Sequence, residues 1–244
     1  MTDPSAHDDL YAAPLERVER FRFDERVAAV FPNMLRRSVP GYEFVVGSLG
    51  LIARRYAVPG STLYDLGCSL GASTLAMRAG LVGLDCRIVA VDNAPAMIER
   101  ARELLRPEPG PAVELRCADI REVPIERASV VVLNYTLQFV PTAERLQLLQ
   151  RICEGMTPGG VLVLSEKIRG ADADEHQVLT ELHEDFKRVN GYSELEIAQK
   201  RTALEEVMIP ETLEAHFTRL HEAGFSHTEE WFRCLNFVSI LAHA

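Results

Sequence analysis

The chain has no excess of basic residues, no long apolar run and no cysteine pairing pattern. Its 26 Lys and Arg face 36 Asp and Glu, for a formal charge of −10. That balance disfavours broad contact with nucleic-acid phosphates, which needs clustered cations, and favours a small-molecule substrate without direct nucleic-acid binding. No apolar stretch approaches the roughly 20 residues of a membrane-spanning helix, so no membrane partner is expected. Five cysteines, at 68, 86, 117, 153 and 234, form no Cys-x-x-Cys pair. An odd count suits a reducing compartment better than a disulfide framework. The start, Met1-Thr2-Asp3-Pro4, is acidic and polar and does not read as a signal peptide, so a cytoplasmic location is expected. The seven histidines form neither His-x-x-x-His nor a mixed Cys/His cluster, and no metal is expected. Gly-x-Ser-x-Gly is also missing, which removes the nucleophile elbow of the α/β hydrolases.

What is present is an alternation of strand and helix. At 244 residues and 47% apolar composition the length suits one large α/β domain. Residues 1–60 read as a helical cap interrupted at Pro32, Pro40-Gly41 and Pro59-Gly60. Residues 61–244 read as the α/β domain proper. Its strands are expected at Leu63–Leu66, Val89–Asp92, Val113–Cys117, Val130–Asn134 and Val161–Ser165, the last following a turn at Thr157-Pro158-Gly159-Gly160. A charged helical insertion is expected at about 172–208, Asp174 to Val189 and then Ser193 to Met208, split by Asn190-Gly191. In its first helix Val178, Leu179, Leu182, Phe186 and Val189 share a face that needs a partner. Thr228–Leu235 and Asn236–Ala242 look like a closing antiparallel pair. The fold class that follows is a doubly wound, mostly parallel sheet with helices on both faces.

The most informative segment is Tyr64-Asp65-Leu66-Gly67-Cys68-Ser69-Leu70-Gly71, a short strand running into a glycine turn. Val89-Ala90-Val91-Asp92-Asn93 follows as a second strand ending in an acid, with Asp92 27 positions after Asp65. One crossover helix between parallel strands accounts for that interval. Glycine lets a ligand approach the main chain where a helix begins, and an acid at the second strand end can accept from both ribose hydroxyls. A dinucleotide site wants Gly-x-Gly-x-x-Gly, and the middle glycine that admits a pyrophosphate is absent. S-adenosylmethionine (SAM) carries no phosphate, and the turn reads as a SAM site.

Ligands in such sheets bind outside the carboxyl ends of the strands. Four expected strand ends are polar there: Gly67-Cys68-Ser69, Asp92-Asn93, Asp119-Ile120 and Asn134. Asp119 is placed to accept from the adenine amino group, Ile120 to pack on the ring, and Asn134 to face the methionine end. Singly, each also reads as an ordinary turn or capping residue. Cys68 reads as filler, since no His partner is nearby in sequence.

Further segments narrow the reading. Phe23-Asp24-Glu25-Arg26-Val27-Ala28, Val30-Phe31-Pro32, Arg37-Ser38-Val39-Pro40-Gly41-Tyr42, Leu164-Ser165-Glu166-Lys167, Asp185-Phe186-Lys187-Arg188, Asn190 to Ile197 and Gln199-Lys200-Arg201, with the glycine turn, closely resemble the carboxy-S-adenosyl-L-methionine synthases. The resemblance runs from about residue 20 to about 237 and departs around Arg106 to Pro111. It implies an enzyme that turns SAM and prephenate into carboxy-SAM and phenylpyruvate, works as a homodimer, and supplies a tRNA-modifying partner that carboxymethylates 5-hydroxyuridine at the wobble position. It implies Arg201 as the guanidinium that pairs with the extra carboxylate and Tyr42 as a cofactor contact. No catalytic residue is assigned: the hydroxide leaving prephenate takes the sulfonium methyl proton, and the resulting ylide captures the carbon dioxide. Arg37, Lys167 and Arg145 are candidate cations for prephenate. The alternatives are a SAM-dependent methyltransferase acting on a small acceptor and a SAM-binding protein without chemistry.

Overall fold

The computed structural model describes residues 6–105 and 109–244. Met1 to Pro4 and Arg106 to Glu108 of the departure from the family pattern lie outside the described residues. Strands β1 (Thr62–Leu66), β2 (Arg87–Asp92), β3 (Ala112–Cys117), β4 (Ala128–Asn134), β5 (Met156–Lys167), β6 (His227–Cys234) and β7 (Phe237–His243) form one sheet in the order β3-β2-β1-β4-β5-β7-β6. The first five are parallel, while β7 runs antiparallel to β5 and β6 antiparallel to β7. The order reverses between β1 and β4, and a crevice opens at such a switch point.

Strand alternation fills both faces. Leu63, Ile88, Val130, Val132, Val161 and Val163 pack with Leu49, Ala53 and Met77 on one side of the sheet. Tyr64, Leu66, Val89, Val91, Val131, Leu133, Leu162 and Leu164 pack with Leu148, Leu149, Ile152 and Leu220 on the other. Neither face meets water, so these strands read as continuous β-branched and leucine runs. The inner helices are α2 (Tyr42–Tyr56), α3 (Ala72–Gly80), α4 (Pro95–Leu104), α5 (Thr142–Gly155) and α8 (Leu213–Glu222).

Over the carboxyl ends lie α1 (Glu25–Ser38), α6 (Ala173–Val189) and α7 (Glu194–Leu204). Their starts are set locally. Asp24 and Asp172 accept from the third backbone amide of α1 and α6, and Ser193 with Glu196 forms a reciprocal capping box on α7. Ahead of α1, residues 6–24 run as an irregular strap. Phe21 N–H donates to Ala203 O (2.9 Å), and the Gln199 side chain donates to Tyr11 O and Ala13 O (both 2.9 Å) while accepting from Leu15 N–H (2.8 Å). The N-terminal cap and the insertion thereby pack against each other.

Four expectations need correction. Pro32 does not break the cap: α1 runs through it, because proline gives up one amide donor while Val27, Ala28, Val30 and Met34 stay buried on both sides of it. The cap is helical only from Glu25 onward. Thr157–Gly160 lies inside β5 as a bulge between Met156, paired with Ala128, and Val161, paired with Val130. The second insertion helix stops at Leu204 instead of reaching Met208.

Candidate functional site

A cavity of about 770 Å³ sits at the switch point, within the usual size range of ligand sites, roughly 300–1,000 Å³. The structure brings all ten residues singled out from the sequence to its wall: Tyr42, Gly67, Cys68, Ser69, Asp92, Asn93, Asp119, Ile120, Asn134 and Arg201. They arrive from the ends of β1 to β4, from the first residue of α2 and from α7. Gly67 takes φ +84°, and a Cβ there would lie 2.4 Å from the Thr136 side chain. No larger residue fits that turn. Ser69 (φ 49°) and Tyr135 (φ 60°) also hold left-handed backbone at the cavity floor, a strain that is kept only where the surroundings over-determine it.

The part of the cavity at the ends of β1 and β2 is acidic and tightly organised. Asp92 Oδ2 accepts from Ser69 N–H (2.8 Å) and Oδ1 from Ala94 N–H (2.9 Å). The two bonds tie the β1 turn to the β2 end and leave further lone pairs for a diol. Burial raises the Asp92 carboxyl above its ordinary range. Beneath it, Asp65 is fully buried with Thr74 donating to Oδ2 (2.5 Å) and no partner on Oδ1; burial lifts its pKa to about 7. Asn134 Nδ2 donates to Ser73 Oγ (3.2 Å), and its Oδ1 is buried without a partner. Ser73 is on the first turn of α3, where helix amides favour a carboxylate. Asp119 is already engaged by Arg121, which binds it through both amide and guanidinium and lowers its pKa. The Cys68 thiol is buried and its pKa is pushed up by burial, which removes its nucleophilicity.

Four cations that lie near one another also line the cavity. Lys167 closes β5, Lys187 comes from α6, and Lys200 and Arg201 come from α7. Burial lowers Lys167 and Lys187 to about 8. Arg201 pairs with Glu184 and keeps its side chain 60% exposed, so any pair it makes with a ligand is partly solvated. His183 Nε2 lies 2.8 Å from Ser38 O, and burial holds it neutral with a pKa of about 3.

Two of the cations suggested for prephenate are not free to reach the cavity. Arg145 is fully buried and donates to Val140 O (2.9 Å), Gln138 O (3.1 Å) and Ile209 O (2.9 Å) while pairing with Glu211. Arg37 is buried, donates to Asn190 O and Asp8 O (both 2.8 Å) and stacks on Tyr192. Both are spent on holding segments together. Conversely, His183, Tyr135 and the strap's Phe21 line the cavity without having been singled out, as do Lys187 and Phe23, which were noted only as parts of family-like segments and given no role. For α6 a signal was available: His176, Thr180, His183, Glu184 and Lys187 recur at three-to-four spacing. The strap carries no periodic pattern, so its placement was not readable.

Glu166, next to Lys167, is fully buried; its oxygens have no partner in hydrogen-bond geometry although the Leu137 and Gln138 amides face it. Burial raises its pKa to about 8. The folded state therefore keeps a proton that the unfolded chain releases near 4.5, so this stability contribution is full below that pH and is lost as pH rises toward 8. Glu166→Gln is expected to unfold at higher urea than the parent at pH 8, with the difference shrinking toward pH 5; a gap that is constant with pH would refute the assignment.

Among the described residues, no three His, Cys, Asp or Glu side chains group into a metal site, and no helix is long and apolar enough to cross a membrane.

Residues 63–160 match the methyltransferase domain family. The carboxy-S-adenosyl-L-methionine synthase of Trichlorobacter lovleyi is 61% identical over 237 residues, covering 96% of this chain and 97% of that protein. The synthase of the same name from Escherichia coli O7:K1 is 52% identical over 239 residues, 98% of this chain and 97% of its own. Human N-acetylserotonin methyltransferase, solved in complex with SAM, superimposes with a TM-score of 0.54 at 18% identity over 96% of this chain and 60% of its own, which shows the fold. With identities of this size extending over nearly the full length, the chain belongs to the carboxy-S-adenosyl-L-methionine synthases.

Proposed function

We propose that the enzyme converts SAM and prephenate into carboxy-SAM, phenylpyruvate and water in the cytoplasm, and that the product supplies a tRNA carboxymethyltransferase acting on the wobble uridine. The observation behind this reading is the concentration of Lys167, Lys187, Lys200 and Arg201 around one cavity in a protein of net charge −10. Arg201 and Lys200 have acids within the protein, Glu184 and Asp8, but a methyl acceptor without charge gives no reason for Lys167 and Lys187, whereas an anionic co-substrate does.

Prephenate loses its ring carboxylate as carbon dioxide and its hydroxyl as hydroxide, becoming phenylpyruvate. The hydroxide removes one proton from the sulfonium methyl to give water, and that carbon bonds to the carbon dioxide. The protein's contribution is to orient the partners and exclude water. The strap aromatics Phe21 and Phe23, with α6 and α7, wall the cavity for that purpose. Asp92 and Asn93 hold the ribose, Asp119 and Ile120 the adenine, Gly67, Cys68, Ser69 and Asn134 the methionine end, and Tyr42 and Arg201 the transferred carboxylate. Val178, Leu182 and Val189 remain exposed on α6, which supports burial against a second copy in a homodimer.

The test is to mix protein, SAM and prephenate and weigh the nucleoside product; a nucleoside no heavier than SAM would exclude the reaction. Arg201→Ala separates carboxyl handling from plain methyl transfer. Carboxy-SAM affinity is expected to fall about tenfold, the lower range for a charge-assisted pair because the group is half-solvated, with SAM affinity unchanged by calorimetry.

A further inference from the structure

We propose that Lys167 and Lys187 together form the seat for the carboxylate that the anionic co-substrate retains, the one on its 2-oxo acid side chain. The inference rests on the functional reading above and assigns a subsite within that cavity. The four cavity cations are not equivalent. Arg201 is paired with Glu184, and Lys200 is paired with Asp8 at 3.2 Å and lies 3.3 Å from the Tyr192 hydroxyl. Lys167 and Lys187 face the same cavity, and among the described residues no carboxylate lies within ion-pair distance of either ammonium. The acid whose charge acts on both, Glu184, is already held by Arg201 and Arg188. His183, beside them, is held neutral by burial and adds no charge of its own to the pair.

Two half-buried ammonium groups in one cavity without counter-ions cost free energy unless something anionic completes them. Burial keeps each near a pKa of 8, so both are still mainly charged at neutral pH. The chemistry decides which carboxylate they take. A cation gripping the carboxylate that leaves as carbon dioxide would stabilise the ground state against its own reaction, whereas one gripping the retained carboxylate costs nothing at the transition state. The lysines come from different elements, the end of β5 and the last turn of α6, so the bound acid also bridges the sheet and that helix. The same seat then accepts phenylpyruvate after the reaction.

The experiment uses the full chain with SAM bound. Phenylpyruvate binding is titrated by calorimetry for the parent, Lys167→Met, Lys187→Met and Lys187→Arg, and the prephenate KM is measured from carboxy-SAM formation. Each Met variant is expected to lose phenylpyruvate affinity and raise the prephenate KM about tenfold or more, with SAM affinity within a factor of about two as the control for folding. Lys187→Arg is expected to restore most of the affinity. Unchanged phenylpyruvate binding and KM in both Met variants would overturn the assignment, as would a parent protein that does not bind phenylpyruvate at all. Failure of the reaction itself shows separately, as a parent that binds phenylpyruvate but makes no carboxy-SAM from prephenate.

Discussion

Asp92→Ala is expected to bind SAM about 100-fold more weakly or worse, measured by calorimetry. The magnitude follows from the carboxylate's position. It is buried, it orders the glycine turn through Ser69 N–H, and it caps the entry to α4 through Ala94 N–H. A diol hydrogen-bonded to an ionised acceptor contributes roughly 1.5–3 kcal/mol per bond, and the alanine variant also leaves two amides without acceptors. Asp92→Asn keeps the shape and one acceptor oxygen, so it is expected to fall between the two. If Asp92→Ala bound SAM like the parent, the nucleoside would have to sit elsewhere in the cavity.

The second large effect is on stability. Arg145→Ala is expected to lower the unfolding free energy by about 3–5 kcal/mol, the range for breaking a buried ion pair from one side. Arg145 rises from the first turn of α5 and donates to carbonyls on two separate segments, Gln138 and Val140 after β4 and Ile209 after α7. Removing it strips the side-chain donor from Val140 O and Ile209 O, leaves Gln138 O with only the Ile209 N–H (2.9 Å), and leaves Glu211 to Arg219 alone (2.6 Å). Gln138, Val140 and Pro210 line the cavity, so SAM affinity is expected to fall with stability. Urea unfolding followed by circular dichroism reads the effect; a loss below about 1 kcal/mol, the scale of an exposed pair, would show that the network is dispensable. Arg219→Ala, which leaves the Arg145 bonds in place, is expected to cost less.

Much of the strand-end half of the cavity was legible because it is built from strand ends. Once strands are recognised by their β-branched runs, the geometry of a parallel sheet forces Gly67, Asp92, Asp119 and Asn134 to one edge. The basic half was less legible, since its members come from helices whose docking depends on which face meets the sheet. Arg145 and Lys167 looked alike as candidate cations from the sequence. One is consumed by three carbonyls and Glu211, and the other is left facing the cavity without an acid.

The order of residues alone determined the parallel core, the glycine turn, the acid 27 positions after Asp65, and a helical excursion late in the chain, because each follows from local backbone preference and periodicity. Tertiary structure decided which charges are spent and which are free. It folded the strap of residues 6–24 against α7, ran α1 through Pro32, and set Lys167 beside Lys187, which lies twenty positions further along the chain. The reason is that a side chain's charge is written in its type, whereas its counter-ion and its exposure to water depend on distant segments meeting in space.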